Sequence, residues 1–144
     1  RYFLFDIDPH QQRYDIILSL NVLHHVGDDY GSSQLSLDKA KDQITDSINF
    51  LAGLTKYLVL QFGFCWQGKR DRLLFSNGTK NEMIEFVQQG TNKLWRMLSV
   101  GIACKDNSII GYREINQFNC FRDDSLGEFL NRPIFILQSR EYID

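Results

Sequence analysis

The sequence predicts an α/β domain, with a mostly parallel sheet that ends in an antiparallel strand pair on its carboxyl-terminal side. Short runs rich in β-branched and aromatic residues alternate with stretches of helical periodicity, the pattern of strand–helix–strand units. Two of those runs, YDIILSL (14–20) and KYLVLQFGF (56–64), are almost continuously apolar, as in strands buried on both faces. The last two strand-like runs have no full helix between them, so they are expected to pair antiparallel.

The elements follow in order. YFLFDI (2–7) reads as a short strand that stops near Asp8, because Pro9 has no N–H for a sheet ladder. YDIILSL is the second strand, and GDDYGSS (27–33) is a loop. Leu37, Ala40, Ile44, Ile48, Leu51 and Leu54 then recur at steps of three and four, with Asp38, Lys39, Lys41, Asp42, Asp46 and Asn49 between them. That spacing predicts an amphipathic helix lying on the sheet, with Ser36 as its N-cap and Gly53 weakening its last turn. KYLVLQFGF is a third strand, followed by a long, partly exposed loop to Lys80 whose NGT (77–79) turns into a second helix. That helix is expected over 81–102, with Met83, Ile84, Val87, Leu94, Met97 and Leu98 on one face, Trp95 in the core and a break allowed at Gly90. SIIGYREI (108–115) and RPIFILQS (132–139) are the last strands, joined by NQFNCFRDDSLGEFLN with one helical turn.

Composition narrows the function classes. The chain has 144 residues, 43% hydrophobic and 24% charged, enough for one domain with a core. A net charge of −2 gives no global field toward nucleic acid or an anionic membrane surface. No apolar run approaches the roughly 20 residues that span a bilayer. Cys65, Cys104 and Cys120 are odd in number and widely spaced, which fits reduced thiols in a cytoplasmic protein rather than a disulfide framework or a zinc site.

In an open α/β sheet, ligands bind outside the carboxyl ends of the strands. Here those ends carry Asp6 and Asp8, then Asn21 with His24 and His25, then Cys65 and Trp66. YDIILSLNVLHHV resembles the fourth motif of class I S-adenosylmethionine-dependent methyltransferases, in which an aromatic–Asp pair opens the strand and a small-x-VLHH-hydrophobic segment closes it. FLFDI resembles the third motif of that family, and the order of the later elements is similar to its carboxyl-terminal half. The glycine-rich first motif of the family does not occur in this sequence. The resemblance therefore implies a Rossmann-like methyltransferase fold, incomplete on its amino-terminal side, with residues 1–144 forming a partial domain whose missing amino-terminal half would be its partner.

The same resemblance implies S-adenosyl-L-methionine as cofactor and a small-molecule or lipid- or sugar-type methyl acceptor. Asp6 and Ile7 would meet the adenine, and Leu20, Asn21 and Val22 the methionine part; Asp6 in DIDP reads equally as a turn carboxylate. His24 and His25 are the catalytic candidates, as a general base toward an acceptor hydroxyl. Adjacent residues at a strand exit point apart, so they make a poor metal pair, and packing under the next helix is the plainer role for either. Trp66, Arg70 and Arg72 are acceptor-side candidates, by stacking and by holding a phosphate or carboxylate, or else they form a solvated basic turn. Two other classes remain: a non-catalytic methyltransferase-like domain that binds a partner through FRDDSLGEF (121–129), and another nucleotide-binding α/β protein.

Overall fold

The computed structural model describes residues 13–142. The strand expected at YFLFDI, and with it Asp6 and Ile7, lies outside the described residues. Five strands form one mixed sheet: β1 (Tyr14–Leu20), β2 (Thr55–Gln61), β3 (Trp95–Asp106), β4 (Ile109–Glu114) and β5 (Ile134–Ser139), in the spatial order β1-β2-β5-β3-β4. The helices are α1 (Leu37–Phe50), α2 (Lys80–Thr91) and the single turn α3 (Gly127–Leu130).

The expected mostly parallel, Rossmann-like sheet is overturned by this topology. β1 and β2 pair in parallel, and every other pairing (β2 with β5, β5 with β3, β3 with β4) is antiparallel. The last two strands do not pair with each other either. β5 inserts between β2 and β3, and β4 hangs on the far edge as the return arm of a hairpin with β3. The physical cause is the segment after α2. TNKLWRMLSVGI does not continue the helix; the chain leaves it at Thr91 and enters β3 at Trp95. In β3 the inward residues Trp95, Val100 and Ile102 are buried while Arg96 and Leu98 are exposed, a strand alternation that a helical wheel misreads. A register shift between Met97 and Ser99 marks a bulge in that strand.

Gly90 does not break α2. A Cβ there would come within 2.9 Å of the Thr45 Cγ2 methyl, and Asn49 Nδ2 donates to the Gly90 carbonyl at 2.9 Å. The residue is small because α1 and α2 cross at that point. Both long helices start as the sequence suggests. Ser36 accepts from the Lys39 amide, and Thr79 with Glu82 closes a reciprocal capping box.

The core gathers Ala40, Ile44 and Ile48 of α1, Met83 and Val87 of α2, and Leu58, Leu60, Trp95, Phe135 and Leu137 of the strands. The helices thus cover one face of the sheet. β1 was expected to be buried on both faces, but Ile16, Leu18 and Leu20 are 58%, 64% and 44% exposed, because α1 covers only the face carrying Ile17 and Ser19. No described helix is long and apolar enough to cross a membrane. The three cysteines are free thiols.

Candidate functional site

β1 ends at Leu20, and the chain then turns through Asn21 in the left-handed region, with φ 61°. Asparagine is among the few non-glycine residues that enter this region readily. The turn holds because the Asn21 amide still pairs with the Gln61 carbonyl at 2.7 Å, at the end of the parallel ladder. Leu23–His25 then form one 3-10 turn that seats Leu23 and His24 in the core.

Three side chains interlock there. Asn21 Nδ2 donates to Gln61 Oε1 at 3.1 Å, Gln61 Nε2 donates to the Arg132 carbonyl at 3.1 Å, and Arg132 Nη1 donates to Asn21 Oδ1 at 2.6 Å. Arg132 is 4% exposed, its Nη2 bonds Glu128 Oε1 at 2.6 Å, and its guanidinium lies 4.4 Å from the Phe129 ring centre. A buried guanidinium needs such pairing, since desolvation alone costs several kcal/mol. The carboxyl end of β2 is equally tight. A Cβ on Gly63 would fall 2.7 Å from His24 Cδ2 and 3.2 Å from Arg132 Cζ, so only glycine lets that backbone lie against both side chains.

The His24 and His25 rings touch with centres 4.2 Å apart and planes tilted by 49°, yet their environments differ. His24 is 2% exposed, and burial, then the charges of His25 and Arg132, push its pKa down to about 3. It is a neutral imidazole at any physiological pH. His25 is half-buried and lies along the left-handed turn at Gly68, and its Nδ1 is 3.3 Å from Asp29 Oδ2, at ion-pair distance but outside hydrogen-bond geometry. Asn21, His24, His25, Gly68, Glu128, Phe129 and Arg132 line a cleft of about 430 Å³ at this end of the sheet. Among the described residues, buried side-chain nitrogens or oxygens without a hydrogen-bond partner occur at His24 Nδ1, His25 Nδ1, Arg132 Nε and Asn49 Oδ1. The first three belong to residues of this one cleft, and of these His25 Nδ1 has the Asp29 carboxylate at ion-pair distance.

The other residues singled out by the sequence fall to either side. Leu20 and Val22 flank Asn21 with exposed side chains. Trp66 is buried, its indole N–H donates to the Val26 carbonyl at 2.7 Å, and it does not line the cleft. Arg72 lies over the Trp66 ring and donates to Gln67 Oε1 at 3.1 Å, while Gln67 Nε2 donates to the Gly27 carbonyl. Those two residues therefore tie the loop after β2 to the loop after β1. Arg70 lines a separate, neighbouring cleft. His25, Asp28 and Asp29 offer ligand atoms within 4.8 Å of one another, but both aspartates are exposed and no further donor joins them among the described residues.

Reasoning from sequence missed Gln61, Gly63, Glu128 and Arg132. The Glu128–Arg132 spacing of i, i+4 was a readable hint of an ion pair; the joining of Arg132 to Asn21, far apart in the chain, had no local signal. No protein-family model matches the chain, and neither a curated protein nor a solved structure matches it at a significant level.

Proposed function

We propose that the chain takes part in S-adenosylmethionine-dependent methyl transfer to a small-molecule acceptor, of lipid or sugar type included, as part of a longer chain. The observation that carries this reading is the cleft of about 430 Å³ beside Asn21, lined by His24, His25 and Arg132 at the carboxyl end of the one parallel strand pair among the described residues. The VLHH motif of the resemblance falls on the same turn.

The residues present fit one end of such a cofactor. Asn21 lines the cleft, whose volume of about 430 Å³ suits part of an adenosyl ligand or an acceptor, and Leu20 and Val22 flank it in the chain with exposed side chains. The adenine end rests on Asp6 and Ile7, outside the described residues. When bound, the cofactor supplies an electrophilic methyl group. His25 takes the proton that an acceptor hydroxyl gives up, and Asp29 stabilises the resulting imidazolium. His24, buried and neutral, positions His25 by ring contact and exchanges no proton. Arg132 holds Asn21 and Glu128 in place. The same reading puts the reaction in the cytoplasm, in keeping with the free thiols.

A second reading, a non-catalytic interaction domain, is favoured by Phe118, Phe121 and Phe129, which are 84%, 71% and 64% exposed along the connection before β5.

Calorimetry with S-adenosylhomocysteine tests the first reading, on this chain extended by the coding sequence upstream of Arg1. Binding is expected, with Asp6→Ala and Asn21→Ala each weakening it and His25→Gln leaving it intact while abolishing transfer to a hydroxyl. No binding, or the same affinity in both alanine variants, would leave the interaction domain as the better account.

A further inference from the structure

The β3–β4 side of the sheet, away from the cleft at Asn21, holds a second group of reactive side chains. Cys104 lies in β3, and Cys120 in the connection that follows β4. We infer that Cys104 and Cys120 are a redox-active thiol pair, which hydrogen peroxide closes to a disulfide. The inference stands on these thiols and their surroundings, and not on the methyl-transfer reading.

Lys80 and Asn119 tie the two cysteines to one place. Lys80, the first residue of α2, is 1% exposed, and its Nζ donates to the Asn119 carbonyl at 3.2 Å. Burial pushes its amine below the ordinary lysine range, against the opposing influence of Cys104, Asp123 and Cys120. Both thiols thus surround one buried amine. Asn119 also reaches Cys104 directly, with its Nδ2 at 3.7 Å from the Sγ, and the next residue in the chain is Cys120. Cys104 is fixed in the β3–β4 ladder opposite Gly111. Cys120 follows an exposed turn, in which the Asn116 amide donates to Asn119 Oδ1 at 2.7 Å and Asn119 Nδ2 to the Glu114 carbonyl at 2.9 Å. Exposed hydrogen bonds of that kind open locally at low cost, so Cys120 is the sulfur that moves to bonding distance.

Cys104 is also open to a small oxidant. With Asp106, Ile109, Gly111 and Arg113 it lines a cleft of about 250 Å³, and a Cβ on Gly111 would meet no atom within 4 Å. The Cys104 thiolate attacks one peroxide oxygen. The S–O bond forms, the O–O bond breaks, and the departing hydroxide takes up a proton as water. The Cys120 thiolate then attacks the sulfenic sulfur. The S–S bond forms, the S–O bond breaks, and a second water leaves. The two thiols lose two electrons and two protons in all, and the peroxide takes up both. Cys65 stands apart, because it is buried and burial, then Glu128, raises its thiol pKa.

The test is to treat the reduced chain with equimolar hydrogen peroxide, alkylate the remaining thiols in denaturant and map tryptic peptides without reductant. A mass lower by about 2 Da is expected before alkylation. Peptides 97–105 and 114–122 should be joined and released by dithiothreitol, with Cys65 alkylated. Cys120→Ser should abolish the bridge and leave Cys104 as a sulfenic acid that dimedone traps, whereas Cys65→Ser should leave the bridge unchanged. Bridging in the native chain should run about tenfold faster than in urea, where the two segments meet only by chance. A bridge that includes Cys65, a disulfide between two chains, alkylation of both Cys104 and Cys120 after peroxide, or equal rates with and without urea would each overturn the pair.

Discussion

The two ends of the sheet treat polar groups in opposite ways. Where β1 and β2 finish, Asn21, Gln61, His24 and Arg132 are drawn out of water and bonded to one another or left with orphaned nitrogens. On the opposite edge, β4 is exposed along its whole length, and its polar contacts are surface pairs such as Arg113 with Asp106 at 3.3 Å and Ser99 with Glu114 at 2.6 Å. Solvated pairs of that kind contribute little, whereas a buried polar network is costly unless every member is held. Among the described residues, buried polar side chains thus gather at the β1–β2 end, on which the proposed function rests.

The largest effect should come from Arg132→Ala. It strands Asn21 Oδ1 and Glu128 together, and chemical denaturation is expected to show a loss of about 3 kcal/mol. A loss near zero would mean the network is no more than decoration. Gly63→Ala comes next, because a Cβ at 2.7 Å from His24 forces either the ring or the backbone to move, at about 2 kcal/mol.

The pH response sharpens the same point. His24 in the folded state sits near 3, below its ordinary 6.5, so the unfolded chain takes up a proton that the folded chain refuses. Stability should fall as pH drops from about 6.5 toward 3, by about 2 kcal/mol between pH 6.5 and 5. Denaturation midpoints over that range should lose this slope in His24→Gln. The smallest effect belongs to the other end. Tyr112→Ser, at 49% exposure on β4, should change stability by about 0.5 kcal/mol or less. If it cost as much as Arg132→Ala, the contrast between the two ends would fail.

Much of the local structure was legible in the sequence. Ser36 and the NGT turn announced both helix starts, because a cap is a contact between residues three apart. The first two described strands and the closing strand also stood out by apolar runs. Sheet direction was not legible. Helix-like spacing of Met97 and Leu98 with Leu94 hid β3, and once that strand was missed, the place of β5 between β2 and β3 could not be inferred. His24 and His25 were equal candidates in sequence. Their difference depends on which ring lies beneath Gly63 and Arg132, residues brought there from other segments.

The sequence by itself determined what depends on near neighbours: the caps, the amphipathic stripe of α1 and the exit of polar residues after β1. Tertiary structure decided the pairing order of the strands, the bare outer face of β1, the buried position of Trp66 and the union of Asn21 with Arg132. The division has a physical reason. Propensity and periodicity act over a few residues, while burial and the partners of a buried charge are properties of the assembled sheet, where residues 111 positions apart close a single hydrogen bond.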